Sequence, residues 1–153
     1  MLNQGFRVIN VDESWLSETD MRRKKWGPRK GTNSMRECAI SMRITFVAAL
    51  DTNGKVYLSL AQRNSDTDSF CLFMTRLAKV LDGEDKNWRD NSVIQLDGAR
   101  YHTNSETKEV LMRLGLPIIF AGPYGYDAAA AESLFAAMKS TELNPLDLST
   151  GIR

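Results

Sequence analysis

The chain has 153 residues, enough for one domain with a real core and too few for two well-formed ones. Its 42% apolar and 25% charged residues are those of an ordinary globular domain, and no apolar run approaches the ~20 residues of a membrane helix, which excludes a helical membrane protein. A net charge of +1 excludes a uniformly basic polyanion binder, so any attraction to phosphate has to come from how the charges are distributed.

In chain order, Met1 to Arg7 lacks the apolar stretch of a signal peptide, so the protein is expected to be intracellular and not secreted. Phe6, Val8, Ile9 and Val11 then read as a buried strand ending at Asp12. No period of 2 or 3.6 is sustained afterwards, which predicts a long insertion over about 13–40. Within it, Arg22, Arg23, Lys24, Lys25, Arg29 and Lys30 surround Trp26, Gly27 and Pro28. Such a run suits phosphate contact with base or sugar stacking on the indole, and equally a solvated loop or a nuclear-import signal. Cys38 and Cys71 form no Cys-x-x-Cys pair, and the chain has one histidine, so these residues alone build no zinc site and suggest a reducing compartment.

Ile40 to Leu50 reads as a long strand, Asn53-Gly54 as a tight type I′ hairpin, and Val56, Leu58 and Leu60 as the returning strand. After Asp66 as N-cap, Phe70, Phe73, Met74, Leu77, Val80 and Leu81 mark one face of a helix that Gly83 is expected to stop. Val93 to Leu96 is a short strand suited to burial on both faces, with Asp97 at its C-terminal end. Thr103-x-x-Glu106 predicts a capping box for a helix through Val110, Leu111 and Leu114, closed by Gly115 and Pro117. Ile118 to Phe120 gives one more strand, and Ala131, Leu134, Phe135 and Met138 share the face of a last helix with Glu132 on its flank.

The order β-β-β-α-β-α-β-α predicts an α/β protein of the ribonuclease H-like fold, a mixed five-stranded sheet with helices on both faces. In that fold Asp12, Asp97 and Glu132 converge on one rim of the sheet. Three such carboxylates are what a protein needs to hold two divalent cations for phosphoryl transfer, since hard cations take oxygen ligands. Glu13, next along a continuing strand, points to the opposite face and is expected to be structural.

The motifs carrying these acids resemble those of the catalytic domain of mariner-superfamily DDE transposases. Asn10-Val11-Asp12-Glu13-Ser14-Trp15 is similar to the family's first block, and Trp26-Gly27-Pro28-Arg29-Lys30-Gly31 to its Trp-x-x-x-Gly element. Asp97-Gly98-Ala99-Arg100-Tyr101-His102 is similar to Asp-Asn-Ala-x-x-His, with Gly98 in place of Asn. Pro123-Tyr124-Gly125-Tyr126-Asp127 through Glu132 resembles the third block, with Ala129-Ala130 where Asn-Pro is common, and the 34 residues between Asp97 and Glu132 are a family spacing.

The resemblance implies a DNA transposase core, a metal-dependent endonuclease and strand transferase. Asp12, Asp97 and Glu132 would be its catalytic residues and its ligands for two Mg²⁺ or Mn²⁺ ions. The implied partners are transposon-end and target DNA and a second copy of the chain in a synaptic complex; the nucleus is the implied site in a eukaryote, and the cytoplasm otherwise. The basic run corresponds to a region that clamps DNA or the partner subunit. Arg100 and Lys139 sit close in sequence to catalytic acids and would neutralise phosphate or serve as surface charge, and His102 would contact DNA or pack and cap after the strand. The family's upstream helix-turn-helix domains have no counterpart before Phe6, so residues 1–153 are expected to be the catalytic domain alone. A decayed copy that binds without cutting, and a ribonuclease H-like nuclease for another substrate, are the competing expectations.

Overall fold

The computed structural model describes residues 6–16, 44–62, 64–122 and 130–138. Strands β1 (Arg7–Leu16), β2 (Ile44–Asp51), β3 (Val56–Ala61), β4 (Ser92–Leu96) and β5 (Ile118–Phe120) make one sheet in the order β3-β2-β1-β4-β5. The helices are α1 (Thr67–Glu84), α2 (Arg100–Thr103), α3 (Ser105–Arg113) and α4 (Ala130–Ala137), with a single 3-10 turn at Trp88–Asp90. The meander β1-β2-β3 is antiparallel, whereas β4 and β5 run parallel to β1. This is the mixed five-stranded sheet of the ribonuclease H-like fold that the element order predicts.

Strand alternation assigns the two faces. Ile9, Val11, Val47, Ala49, Ile94 and Leu96 turn to one side, where they bury Phe70, Phe73, Met74, Leu77 and Leu81 of α1 and Leu111 of α3. Each large side chain so buried contributes about 1.5–3 kcal/mol. On the other face Phe46 and Ala48 receive Ala131 and Phe135 of α4, with Leu134 and Met138 packed at the margin. The face expected for the last helix is therefore the one it buries.

Several boundaries differ from the sequence reading. β1 does not end at Asp12: it runs on to Leu16 because Glu13, Ser14 and Trp15 pair with Val47, Phe46 and Thr45. The hairpin is not a two-residue type I′ turn. Asp51 accepts from Gly54 N and pairs again at Lys55, so the loop is Thr52-Asn53-Gly54, and Gly54 at φ +80° takes the left-handed position of a three-residue loop. Asp66 caps α1 as expected, accepting from Ser69 N at 2.8 Å, but the helix passes Gly83 to Glu84, and Val80 is exposed while Ala78 is buried. Asn104, not Thr103, caps α3, accepting from Thr107 N at 2.7 Å; Thr103 ends α2 with its hydroxyl donating to Ala99 O. Gly115, at φ +60°, closes α3 as predicted. The alternation of Val56, Leu58 and Leu60 holds, yet all three are exposed, since on that face α4 packs over β1 and β2.

Candidate active site

The site is built on the C-terminal half of β1. Period-2 alternation sends Asn10 and Asp12 to the α4 face, and Val11 and Glu13 to the α1 face. Asp12 lies opposite Ala48, whose small side chain leaves room for a half-buried carboxyl. On the other flank β4 pairs in parallel, Val8 with Val93, Ile9 with Ile94 and Asn10 with Gln95. Two residues further along the same register, Asp12 comes level with Asp97, just beyond the end of β4.

Glu132 is brought to this rim by a contact the sequence reading did not anticipate. The Asn10 side-chain oxygen accepts from Ala131 N at 2.9 Å, satisfying a backbone donor in the first turn of α4 from a residue distant in sequence. The helix start is thereby tied to the strand two residues before Asp12. Glu132, the next residue, is exposed in that first turn, where the positive end of the helix dipole favours a carboxylate. A polar residue at an alternate position within an apolar strand was the available signal for Asn10, but its partner could not be read from it.

Asp12 feels the other acids of the rim. Burial is the largest influence raising the Asp12 carboxyl; the Glu13 backbone N–H, at 2.8 Å from its Oδ1, opposes it, and the charges of Glu13, Asp97 and Glu132 add to the rise, so the group is pushed up to about 6. A carboxyl held this way gains from a bound cation, and the available donors are the oxygens that hard cations take. As the side chains stand, no three His, Cys, Asp or Glu among the described residues are near enough to one another to hold a metal ion. Asp97 and Glu132 are both exposed at this rim.

Asp97 is held on one oxygen. Its Oδ1 accepts from Ala99 N at 3.0 Å and lies 2.5 Å from His102 Nδ1. The other ring nitrogen, Nε2, is 3.0 Å from Glu13 Oε1, and the Tyr101 hydroxyl donates to Glu13 Oε2 at 3.2 Å. An ionised carboxylate only accepts, so a ring nitrogen facing one has to carry the proton. Burial by itself lowers the His102 pKa; the Glu13 hydrogen bond and the charges of Glu13 and Asp97 outweigh it and hold the imidazole above its ordinary value. Tyr101 is raised, first by burial and then by the Glu13 charge, and stays a donor.

These placements correct one expectation and support another. His102 is completely buried, packed at a tilt against Phe70 with ring centroids 4.2 Å apart, with both nitrogens engaged, and so has no face to offer DNA. Glu13 points away from Asp12 and braces the histidine, in keeping with a structural role. Arg100 is exposed at the start of α2, three residues past Asp97. Arg22, Arg23, Lys24, Lys25, Trp26, Arg29, Lys30, Lys139 and the Pro123-Tyr124 motif lie outside the described residues.

Comparison with known proteins places this rim in a family: the model of the DDE superfamily endonucleases matches residues 7–149. The chain belongs to that family. No curated protein sequence matches it. Among solved structures, it is similar to a pre-cleavage Mos1 transpososome, with a TM-score of 0.68 at 17% identity over 90% of this chain and 42% of that one. A Mos1 mariner paired-end complex with Mn superposes at 0.69 with 20% identity, covering 90% and 42%. The isolated catalytic domain of Mos1 mariner transposase superposes at 0.61 with 17% identity, covering 86% and 57%. At these identities the likeness is one of fold, and it bears out the resemblance to the mariner catalytic domain. This DDE-family chain spans less than half the length of the Mos1 chains in those complexes.

Proposed function

We propose that this chain is the catalytic core of a DNA transposase, a metal-dependent endonuclease and strand transferase acting on transposon ends. The observation that carries the reading is the half-buried Asp12, raised to about 6 on a rim it shares with Asp97 and Glu132, in a chain of the DDE endonuclease family. Asp12, Asp97 and Glu132 would hold two Mg²⁺ or Mn²⁺ ions; the solved relatives include Mos1 complexes with Mg and with Mn. Bound there, such ions would activate a water or a 3′-hydroxyl and stabilise the leaving oxygen of an in-line displacement.

The chain's own residues do the rest. Asp12 and Asp97 each commit one oxygen to a local hydrogen bond, which orients the carboxylate and leaves the other oxygen without a hydrogen bond among the described residues. Asn10 anchors α4 so that Glu132 approaches from the opposite side of β1 to His102. Arg100, exposed on the same rim, would take a phosphate of the scissile strand, and the basic run Arg22 to Lys30 and Lys139 would extend that contact. Because the Mos1 complexes are paired-end assemblies, a homodimer bridging two DNA ends is part of the proposal, as is a nuclear location in a eukaryotic host.

A second reading, a derivative that binds DNA or protein without cutting, is favoured by the gap that remains between the three acids. Cleavage of transposon-end duplex, RNA–DNA hybrid and branched junction, each with Mg²⁺ and with chelator, separates the readings. Mg²⁺-dependent cutting of the duplex end is expected. Preference for hybrid or junction points to another nuclease, and absence of cutting and of metal binding leaves the non-catalytic derivative.

A further inference from the structure

Asp97 projects from the end of β4 with nothing but a short turn behind it, and a carboxylate on such a tip is free to rotate. In this chain the rotation is stopped. His102 Nδ1 lies 2.5 Å from Asp97 Oδ1, and the His102 ring is itself held from several sides: Phe70 lies against it tilted by 40° with centroids 4.2 Å apart, Tyr101 meets it edge-on at 4.4 Å, and Glu13 takes Nε2 at 3.0 Å. Glu13, almost wholly buried, is in turn held by the Tyr101 hydroxyl. The brace passes from β1 beneath the sheet rim to the tip of β4. It joins the two strands that carry Asp12 and Asp97 through side chains on the face opposite Asp12.

We propose that His102, oriented by Glu13, is a positioning residue that locks Asp97 by its Oδ1 and presents Oδ2 to the divalent cation. The inference deepens the function proposed above and rests on Asp97 being a metal ligand. Outer partners of this kind orient ligating carboxylates, and their removal typically weakens metal binding about 10–100-fold. The two nitrogens of the ring have separate tasks. Nδ1 holds the ligand, and Nε2 holds the ring.

Two conservative variants separate those tasks, because an asparagine amide reaches the place of Nδ1 and a glutamine amide that of Nε2. Mn²⁺ affinity of the whole chain, read by electron paramagnetic resonance without DNA, is the measurement, with thermal melting alongside it. His102→Gln is expected to bind Mn²⁺ roughly 10–100-fold more weakly than the unsubstituted chain. His102→Asn should recover most of that loss although both variants melt lower to a similar degree. A purely structural histidine would make affinity follow stability, so equal weakening in the two variants, or none in either, overturns the proposal. Should both fail to fold, Glu13→Ala leaves the ring in its apolar bed and is expected to weaken Mn²⁺ binding severalfold, with Glu13→Gln restoring it; unchanged affinity in Glu13→Ala overturns the brace. If the unsubstituted chain binds no Mn²⁺, the metal-ligand reading of Asp97 falls first and this inference with it, an outcome distinct from a failure confined to the variants.

Discussion

The two ends of β1 are charged in opposite styles. At its start Arg7 donates to Asp51 at 2.7 Å and to the Tyr57 hydroxyl at 2.6 Å, and Glu84 closes the group with Tyr57 and with Lys55 at 3.0 Å. Asp51 is fully buried, and its second oxygen accepts from Asn53 and Lys55 N, so every carboxylate at this end has cations or donors against it. At the other end Asp12, Glu13, Asp97 and Glu132 share one rim, and of the four only Glu13 and Asp97 reach the imidazole of His102. One end spends its charges on holding the hairpin, the strand and α1 together. The other leaves Asp12 and Glu132 without a cation among the described residues, which costs stability and reserves the rim for a ligand of opposite sign. Balanced and unbalanced charge are thus separated along a single strand.

The comparison can be broken first at the acidic rim. Asp97→Asn is expected to lower Mg²⁺-dependent cleavage on the order of 10³-fold, the several kcal/mol that a metal contributes to the transition state, with little change in melting; retained cleavage removes Asp97 from the site. At the balanced end the effect should be on folding instead. Asp51→Ala leaves Arg7 buried without its partner and is expected to cost about 3–5 kcal/mol in urea denaturation. A loss under about 1 kcal/mol would mean that the pair is solvated and that the contrast between the ends is false.

A smaller effect of opposite sign tests the burial of Asp12 and the repulsion around it. The folded pKa of Asp12 is raised, so the folded state holds its proton more tightly than the unfolded chain does. The associated stability is fully present below the ordinary carboxylate range and is lost as pH rises to about 6. Above that pH, in chelator, Asp12→Asn should therefore be more stable than the unsubstituted chain. Allowing for solvent around a half-buried group, the gain is on the order of 1–2 kcal/mol, and added Mg²⁺ should stabilise the unsubstituted chain more than the variant. A variant that melts lower at pH 7.5 would show that Asp12 is not under strain. Least of all, Asn10→Ala removes a cap from α4 and is expected to cost about 1 kcal/mol, with a fall in cleavage but no change in DNA affinity. Unchanged cleavage would show that Glu132 reaches the rim without that anchor.

Much of this was legible in the chain. Apolar period marked α1 and α4 and the faces they bury, and the short run Val93 to Leu96 marked a strand with Asp97 at its tip. These features depend on neighbours in sequence, whose relative directions are set by 3.6 and 2-residue repeats. Local rules also misled where tertiary pairing outweighed them. Asn53-Gly54 suits a two-residue turn, but the β2–β3 register admitted a third residue. Thr103 and Glu106 spell a capping box, but Asn104 was better placed once α2 had formed.

What the sequence by itself determined was the inventory: which elements, which faces, which carboxylates, and on which side of β1 Glu13 would fall. Only the tertiary structure decided the pairings across the chain, Asn10 with the start of α4, His102 between Glu13 and Asp97, Arg7 with Asp51. The reason is physical. A hydrogen bond between groups some 90 or 120 residues apart leaves no periodic trace, because its partners share no helix or strand and meet only when the sheet and its two layers of helices have packed.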